Sequence, residues 1–171
     1  MKYIITPTLN SIGGLLYIVT EKSTGRICYR VEGRRGDSLT PSEFYIYGDS
    51  EGQVYETNRS NWTNNIHVGN DYVYCVSLGD FHTYIQRTMG FPPSFRYPAR
   101  GTAYYGDGLL GMFYGFCENK KDIATMRVKV FSLGKYIVNI KNESVSRDAV
   151  FGMIFGILAL QARSHSRRRA H

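Results

Sequence analysis

Ser146-Arg147-Asp148-Ala149-Val150-Phe151-Gly152-Met153-Ile154-Phe155-Gly156-Ile157-Leu158-Ala159-Leu160 is the stretch on which the arrangement of the whole chain turns. From Ala149 to Leu160 it has no polar face. A strand of that length would be unusual, so the run predicts a helix, spanning about Arg147 to Ala162. Ser146 suits the N-cap, and Asp148 in the first turn complements the helix dipole. At ~1.5 Å per residue the apolar run is about 18 Å long, short of the ~20 residues a membrane span needs. It stops at Gln161 and Arg163.

A helix that is apolar on every side must be surrounded on every side. Outside lipid, that enclosure has to be protein. The preceding sequence offers strands for the purpose. Gly152 and Gly156 lie four residues apart, where they allow a backbone to approach closely. The alternative for these two glycines is a Gly-x-x-x-Gly dimer face in a membrane.

Upstream, Met1 to about Ile140 alternates short apolar segments with polar turns. Lys2–Thr8 and Leu15–Thr20 read as strands. In Arg26–Glu32, Ile27, Tyr29 and Val31 alternate with Arg26, Cys28, Arg30 and Glu32, the period-two pattern of a strand with one buried face. Further strands are predicted at Glu43–Tyr47, Gln53–Thr57, Ile66–Val68, Asp71–Leu78, His82–Thr88, Gly101–Tyr105, Leu110–Cys117, Ile123–Val130 and Lys135–Ile140. Phe91–Arg100, with Pro92, Pro93 and Pro98, predicts an irregular crossover. Gly106-Asp107-Gly108 and Asn119–Asp122 predict turns.

The fold class that follows is mainly β: a closed antiparallel β-barrel of about twelve strands around a central C-terminal hydrophobic helix. One domain over residues 1–163 is expected, with 164–171 a basic disordered tail. The 171-residue length, 43% hydrophobic content, 14 Tyr and 18 Gly agree with a β-rich domain with a real core.

Net charge is +7, but Arg163, Arg167, Arg168 and Arg169 supply four of those charges, leaving +3 for the rest. The body is only mildly basic, so nucleic acid is not the expected partner. Met1–Pro7 has no long apolar segment of the signal-peptide kind, so a cytoplasmic setting is expected, peripheral at membranes if lipid is bound. In that setting the sequons at Asn58, Asn61 and Asn142 carry no weight, and Arg35-Gly36-Asp37 reads as a turn.

Cys28, Cys75 and Cys117 are odd in number and widely spaced, arguing against a disulfide framework or zinc cage; each reads as a small buried hydrophobe. No metal, no cofactor and no catalytic residue is assigned. His67, His82, His165 and His171 are scattered, and a Cys75–His82 pair would require adjacent strands to bring them together.

The candidate binding residues are basic. Arg26 and Arg30 are expected to share a strand face, with Arg34 and Arg35 in the loop beyond, and Arg127 and Lys129 to share a face on a late strand. Such pairs could form a lipid-headgroup or phosphate site, since guanidinium forks grip phosphate oxygens. The bland alternative is ordinary solvated outer positions, and Glu32 and Asp37 dilute the first cluster. The basic tail is a disordered end or a contact to anionic membrane or RNA. Among Tyr45, Tyr47, Tyr55, Tyr72, Tyr74, Tyr104 and Tyr105, some could line a partner groove; cross-strand pairs are the plainer reading.

The block Asp122–Val130, Lys135–Ile140 and Ala149–Leu160 resembles the closing strands and buried helix of the tubby C-terminal-like superfamily. Leu15–Val19 followed by Cys28–Val31 is similar to its opening hairpin. The chain looks most like the LURP-one-related group, with phospholipid scramblases more distant. Where the family's helix often ends on an acidic residue, Leu160-Gln161 stand here. The resemblance implies a twelve-stranded barrel around a helix, no required catalysis, and binding of anionic membrane phospholipids such as phosphoinositides. A structural or protein-interaction domain without lipid affinity is the alternative.

Overall fold

The computed structural model describes residues 1–9, 15–35, 41–50, 53–54, 65–68, 73–79, 81–87, 94–99, 102–109, 112–132 and 134–169. Expected strand ends at 55–57, 71–72, 88, 101 and 110, the sequons at 58–63, Gly36, Asp37, Ala170 and His171 lie outside the described residues.

Thirteen strands and one helix make up the described chain. The strands are β1 (Lys2–Leu9), β2 (Leu15–Glu21), β3 (Ile27–Arg35), β4 (Pro41–Ser50), β5 (Gln53–Val54), β6 (Asn65–Val68) and β7 (Val73–Leu78), continuing with β8 (Phe81–Arg87), β9 (Ser94–Ala99), β10 (Thr102–Leu109), β11 (Phe113–Glu118), β12 (Lys121–Val128) and β13 (Tyr136–Ile140). The helix α1 is Arg147–Arg169. Neighbours in the sheet run β3-β2-β1-β13-β12-β11-β10-β9-β8-β7-β6-β4-β5, and β3 also pairs with β4. All of these pairings are antiparallel. Most link strands consecutive in sequence, as short turns favour. The exceptions are β4 with β6 and β1 with β13; at the latter the Met1 amino group donates to the Ile140 carbonyl at 2.9 Å.

Alternation puts Tyr3, Ile5, Tyr17, Val19, Tyr29, Val31 and Val138 inward. Three register shifts occur, one of them between Arg34 and Arg35 where β3 pairs with β4; the other two interrupt the alternation. Between β2 and β3 the register passes from Val19↔Tyr29 to Thr20↔Ile27, leaving Cys28 as the extra residue. Between β11 and β12 it passes from Phe116↔Ala124 to Cys117↔Asp122, leaving Ile123. In each case two successive residues are buried, Cys28 with Tyr29 and Ile123 with Ala124. A bulge permits this because the extra residue resets the strand's two-residue period.

Residues 149–158 of α1 are all buried, a run of nearly three turns that covers every face of the helix. Phe151 meets Tyr3 edge-on at 5.1 Å between ring centres and Tyr29 at 4.9 Å, and Phe155 meets Tyr29 at 5.7 Å. The helix also packs on β6, β7, β8 and β12. Strands from distant parts of the sheet thus converge on one apolar rod. The Ser146 cap forms as expected: its hydroxyl accepts from the Ala149 N–H at 3.3 Å.

Three expectations are corrected. Ser94–Ala99 is a strand, and Pro98 pairs opposite Ala103 one residue from the strand's end, where a missing N–H costs least. Gly106-Asp107-Gly108 lies inside β10, held between β9 and β11 rather than forming a turn. The helix runs to Arg169 and takes in most of the segment expected to be a disordered tail. Arginine is a good helix former, and cations near a helix C-terminus suit its dipole. No helix among the described residues is long and apolar enough to cross a membrane.

Candidate functional site

The six basic candidates separate into two groups. On β3, Arg30 is exposed between Ile18 of β2 and Tyr47 of β4. Arg26 precedes the strand, and with the Cys28 bulge intervening it does not share a β3 face with Arg30. Arg34 and Arg35 belong to β3 itself, not to a loop, at register positions opposite Glu43 and Pro41. Arg127 and Lys129 are both exposed, Arg127 within β12 and Lys129 just past its end. Between β3 and β12 lie β2, β1 and β13. At ~4.8 Å per strand the groups stand about 19 Å apart along the sheet, too far to grip one headgroup.

The β3 group is electrically mixed. A cavity of about 430 Å³ lies along β3 and β4, lined by both Arg30 and Glu32, with Tyr47 beside them. Arg30 and Glu32 are two apart on one strand, so an anion drawn by the first is repelled by the second.

The β12 group is different. From Ile123 to Asn142 the chain carries Arg127, Lys129, Lys135 and Lys141 and no acidic residue. Lys141 is engaged elsewhere, 2.9 Å from Asp122. The other three surround the β12–β13 connection. That connection is internally bonded: Lys129 N–H donates to the Lys135 carbonyl at 2.7 Å, Ser132 N–H to Lys129 at 3.2 Å, and Lys135 N–H to Ser132 at 2.9 Å. Lys129–Ser132 is therefore a tight turn with Val130 and Phe131 as its central pair. Phe131 has φ +62°, a conformation that costs an L-residue about 1–2 kcal/mol. Phe131 is 104% exposed and Val130 67%. Alongside, Met112 and Phe113 are exposed too; the Met112 carbonyl accepts from Val128 N–H at 2.8 Å, and Phe113 pairs opposite Arg127. Of the exposed large hydrophobics among the described residues, all but Met1 stand at this end.

At the start of α1 polar groups turn inward. The buried Tyr29 hydroxyl donates to the Asp148 carboxylate and accepts from Arg147 Nε at 3.1 Å. The Arg147 guanidinium also lies 5.3 Å from the Tyr29 ring centre. Burial, and then the charge of Asp148, pushes the Tyr29 hydroxyl well above the ordinary tyrosine range. Gly79, in the β7–β8 turn at φ +56°, completes the contact: a Cβ there would stand 2.5 Å from Asp148 Oδ2. Asp148 therefore does more than answer the helix dipole. It ties the start of α1 to β3 and sits tight against that turn.

A second polar cluster is exposed. Asp122 accepts from Lys141 Nζ at 2.9 Å and from the Cys117 thiol at 3.2 Å, and these bonds hold its carboxyl below the usual range. Cys117 is thus half-buried and hydrogen-bonded, against the expectation of a buried hydrophobe, because the neighbouring bulge turns it toward Asp122. Cys28 is buried as expected.

Cys75 and His82 stand on the paired neighbours β7 and β8, offset by two register positions. His82 stands opposite Ser77, whereas Cys75 is flanked by Tyr84 on β8 and His67 on β6. Tyr104 pairs opposite Tyr97, the cross-strand arrangement expected of the tyrosines. Among the described residues no group of three His, Cys, Asp or Glu is placed to hold a metal ion.

Sequence reasoning named Arg127 and Lys129 as candidates but not Val130, Phe131, Met112 and Phe113, nor the Tyr29–Asp148 bond. A signal for the first existed: Val130-Phe131-Ser132-Leu133-Gly134 places large apolar residues where a strand connection would be polar. No local signal marked the second, whose partners are 119 residues apart. No family model, curated protein or solved structure matches the chain.

Proposed function

We propose that the chain is a non-enzymatic module that associates with anionic phospholipid surfaces, built on a tubby-like twelve-stranded barrel closed around its C-terminal helix. The β3–β4 ladder supports closure, with seven residue pairs linking the first part of the order to the last. Burial of α1 on every face is what such a barrel would produce. An interior filled by Phe151, Ile154 and Phe155 leaves a substrate no space there, which favours a surface role over catalysis.

The observation that carries the reading is the acid-free stretch from Ile123 to Asn142, with Arg127 and Lys129 exposed on it. Each cation brought to an anionic membrane surface contributes about 1 kcal/mol. The β3 cations are set aside from this role, since Glu32 lines the same cavity as Arg30.

Cosedimentation with vesicles tests it. Binding is expected to vesicles holding about a third phosphatidylserine, with phosphoinositide as a second arm, and not to pure phosphatidylcholine. It should fall steeply between about 0.1 M and 0.5 M salt as the screening length shortens. Arg127→Gln with Lys129→Gln should weaken it roughly thirtyfold, the two cations together contributing about 2 kcal/mol. Absence of binding, or binding indifferent to salt and to both substitutions, rejects the reading.

A further inference from the structure

We propose that the end of the molecule formed by Met112–Phe113 and the Lys129–Lys135 connection is a membrane-insertion edge, with Val130 and Phe131 entering the hydrocarbon boundary of an anionic bilayer. This rests on the lipid-surface reading above and adds to it a penetrating element and an orientation.

Three observations converge. Val130 and Phe131 are the two most exposed large hydrophobics among the described residues, and they are adjacent at the tip of a turn. The turn is fixed by its own backbone bonds, Ser132 N–H donating to the Lys129 carbonyl and Lys135 N–H to the Ser132 carbonyl, so the pair is held outward by the backbone. The left-handed φ of Phe131 points the same way: a turn adopting it for its own stability would carry Gly or Asn there.

The surroundings select the occupant. Arg127, Lys129 and Lys135 flank the tip, and no acid is present from Ile123 to Asn142. Apolar side chains at a tip with cations behind them match a bilayer in depth: hydrocarbon first, then phosphate. A second copy of this chain fits poorly, because it would set three cations against three. Single-stranded RNA would use the ring and the cations, but Val130 and Met112 gain nothing from bases, whereas both gain from hydrocarbon.

The test places a reporter at the tip. In a Trp62→Phe background, Phe131→Trp is mixed with phosphatidylcholine vesicles holding about a third phosphatidylserine. Emission should shift to the blue and be quenched by lipids brominated on the acyl chain. In parallel, Val130→Ser with Phe131→Asn should weaken vesicle binding about tenfold while retaining salt dependence, since the cations are untouched. The melting temperature of each variant, measured without vesicles, shows that folding is intact. If the parent chain binds vesicles but the tryptophan neither shifts nor is quenched, insertion is wrong and the surface reading stands. If the parent chain binds no vesicles, both fall. Concentration-dependent dimerisation that the tip substitutions abolish, or oligonucleotide binding that displaces vesicles, also overturns the proposal.

Discussion

Phe151 and Phe131 are the same residue in opposite circumstances. Phe151 is fully buried near the start of α1, between the rings of Tyr3 and Tyr29. Phe131 is fully exposed at the tip of the β12–β13 connection, in a backbone conformation its side chain disfavours. In chain order the two regions lie on either side of β13. Around the first, charge turns inward: Arg147 and Asp148 share one buried tyrosine hydroxyl. Around the second, cations and apolar groups both turn outward. One region is arranged for stability, and the other is arranged at a cost to stability. Such a cost persists where the surrounding structure holds it and something else is gained.

The contrast can be broken most severely at Phe151. Phe151→Ala removes a ring packed against three others and should cost about 3–5 kcal/mol, read as a lowered urea midpoint. A cost under about 1 kcal/mol would mean that the helix is not enclosed as described.

Tyr29→Phe keeps the ring and deletes the hydroxyl. Asp148 then loses its donor and Arg147 its acceptor, so a loss of about 1.5–3 kcal/mol is expected. The substitution also reports on pH. The Tyr29 pKa is raised in the folded state, so its contribution is complete below the ordinary value of 10.0 and is lost as pH rises beyond it. The same holds for Tyr17, raised by burial. Stability measured from neutral to alkaline pH should therefore fall above 10.0 in the parent chain, and fall less steeply in Tyr29→Phe. An identical slope in both would contradict the burial of this hydroxyl.

The smallest effect has the opposite sign. Phe131→Asn relieves the left-handed strain and sacrifices no burial, so stability should rise by about 0.5–1 kcal/mol. A loss of stability would show that the ring packs on something, and the contrast between the two regions would collapse.

Legibility in the sequence followed the range of the interaction. The helix start was readable because capping is local: Ser146, Asp148 and the apolar run lie within one short segment. Most strands were readable because alternation is also local. Where a local rule misled, a neighbour had overridden it. Gly106 lies in a strand because β9 and β11 flank it on both sides, and Gly108 because it pairs with Tyr114 of β11. Arg26 and Arg30 looked co-facial until the Cys28 bulge intervened, and a bulge is a property of two strands together. The candidate site was legible by half: Arg127 and Lys129 could be named as cations, but the exposure of their apolar neighbours could not be read from residue type.

By itself, then, the sequence determined a β-rich chain ending in a helix that had to be surrounded, because an all-apolar rod cannot face water on any side. Only the tertiary structure decided which strands touch that rod, that Tyr29 answers Asp148 across most of the chain, and that Val130 and Phe131 stand outside. Hydrophobicity states what a side chain gains from burial; whether a turn turns it in or out is set by backbone pairing between strands that a linear reading cannot register.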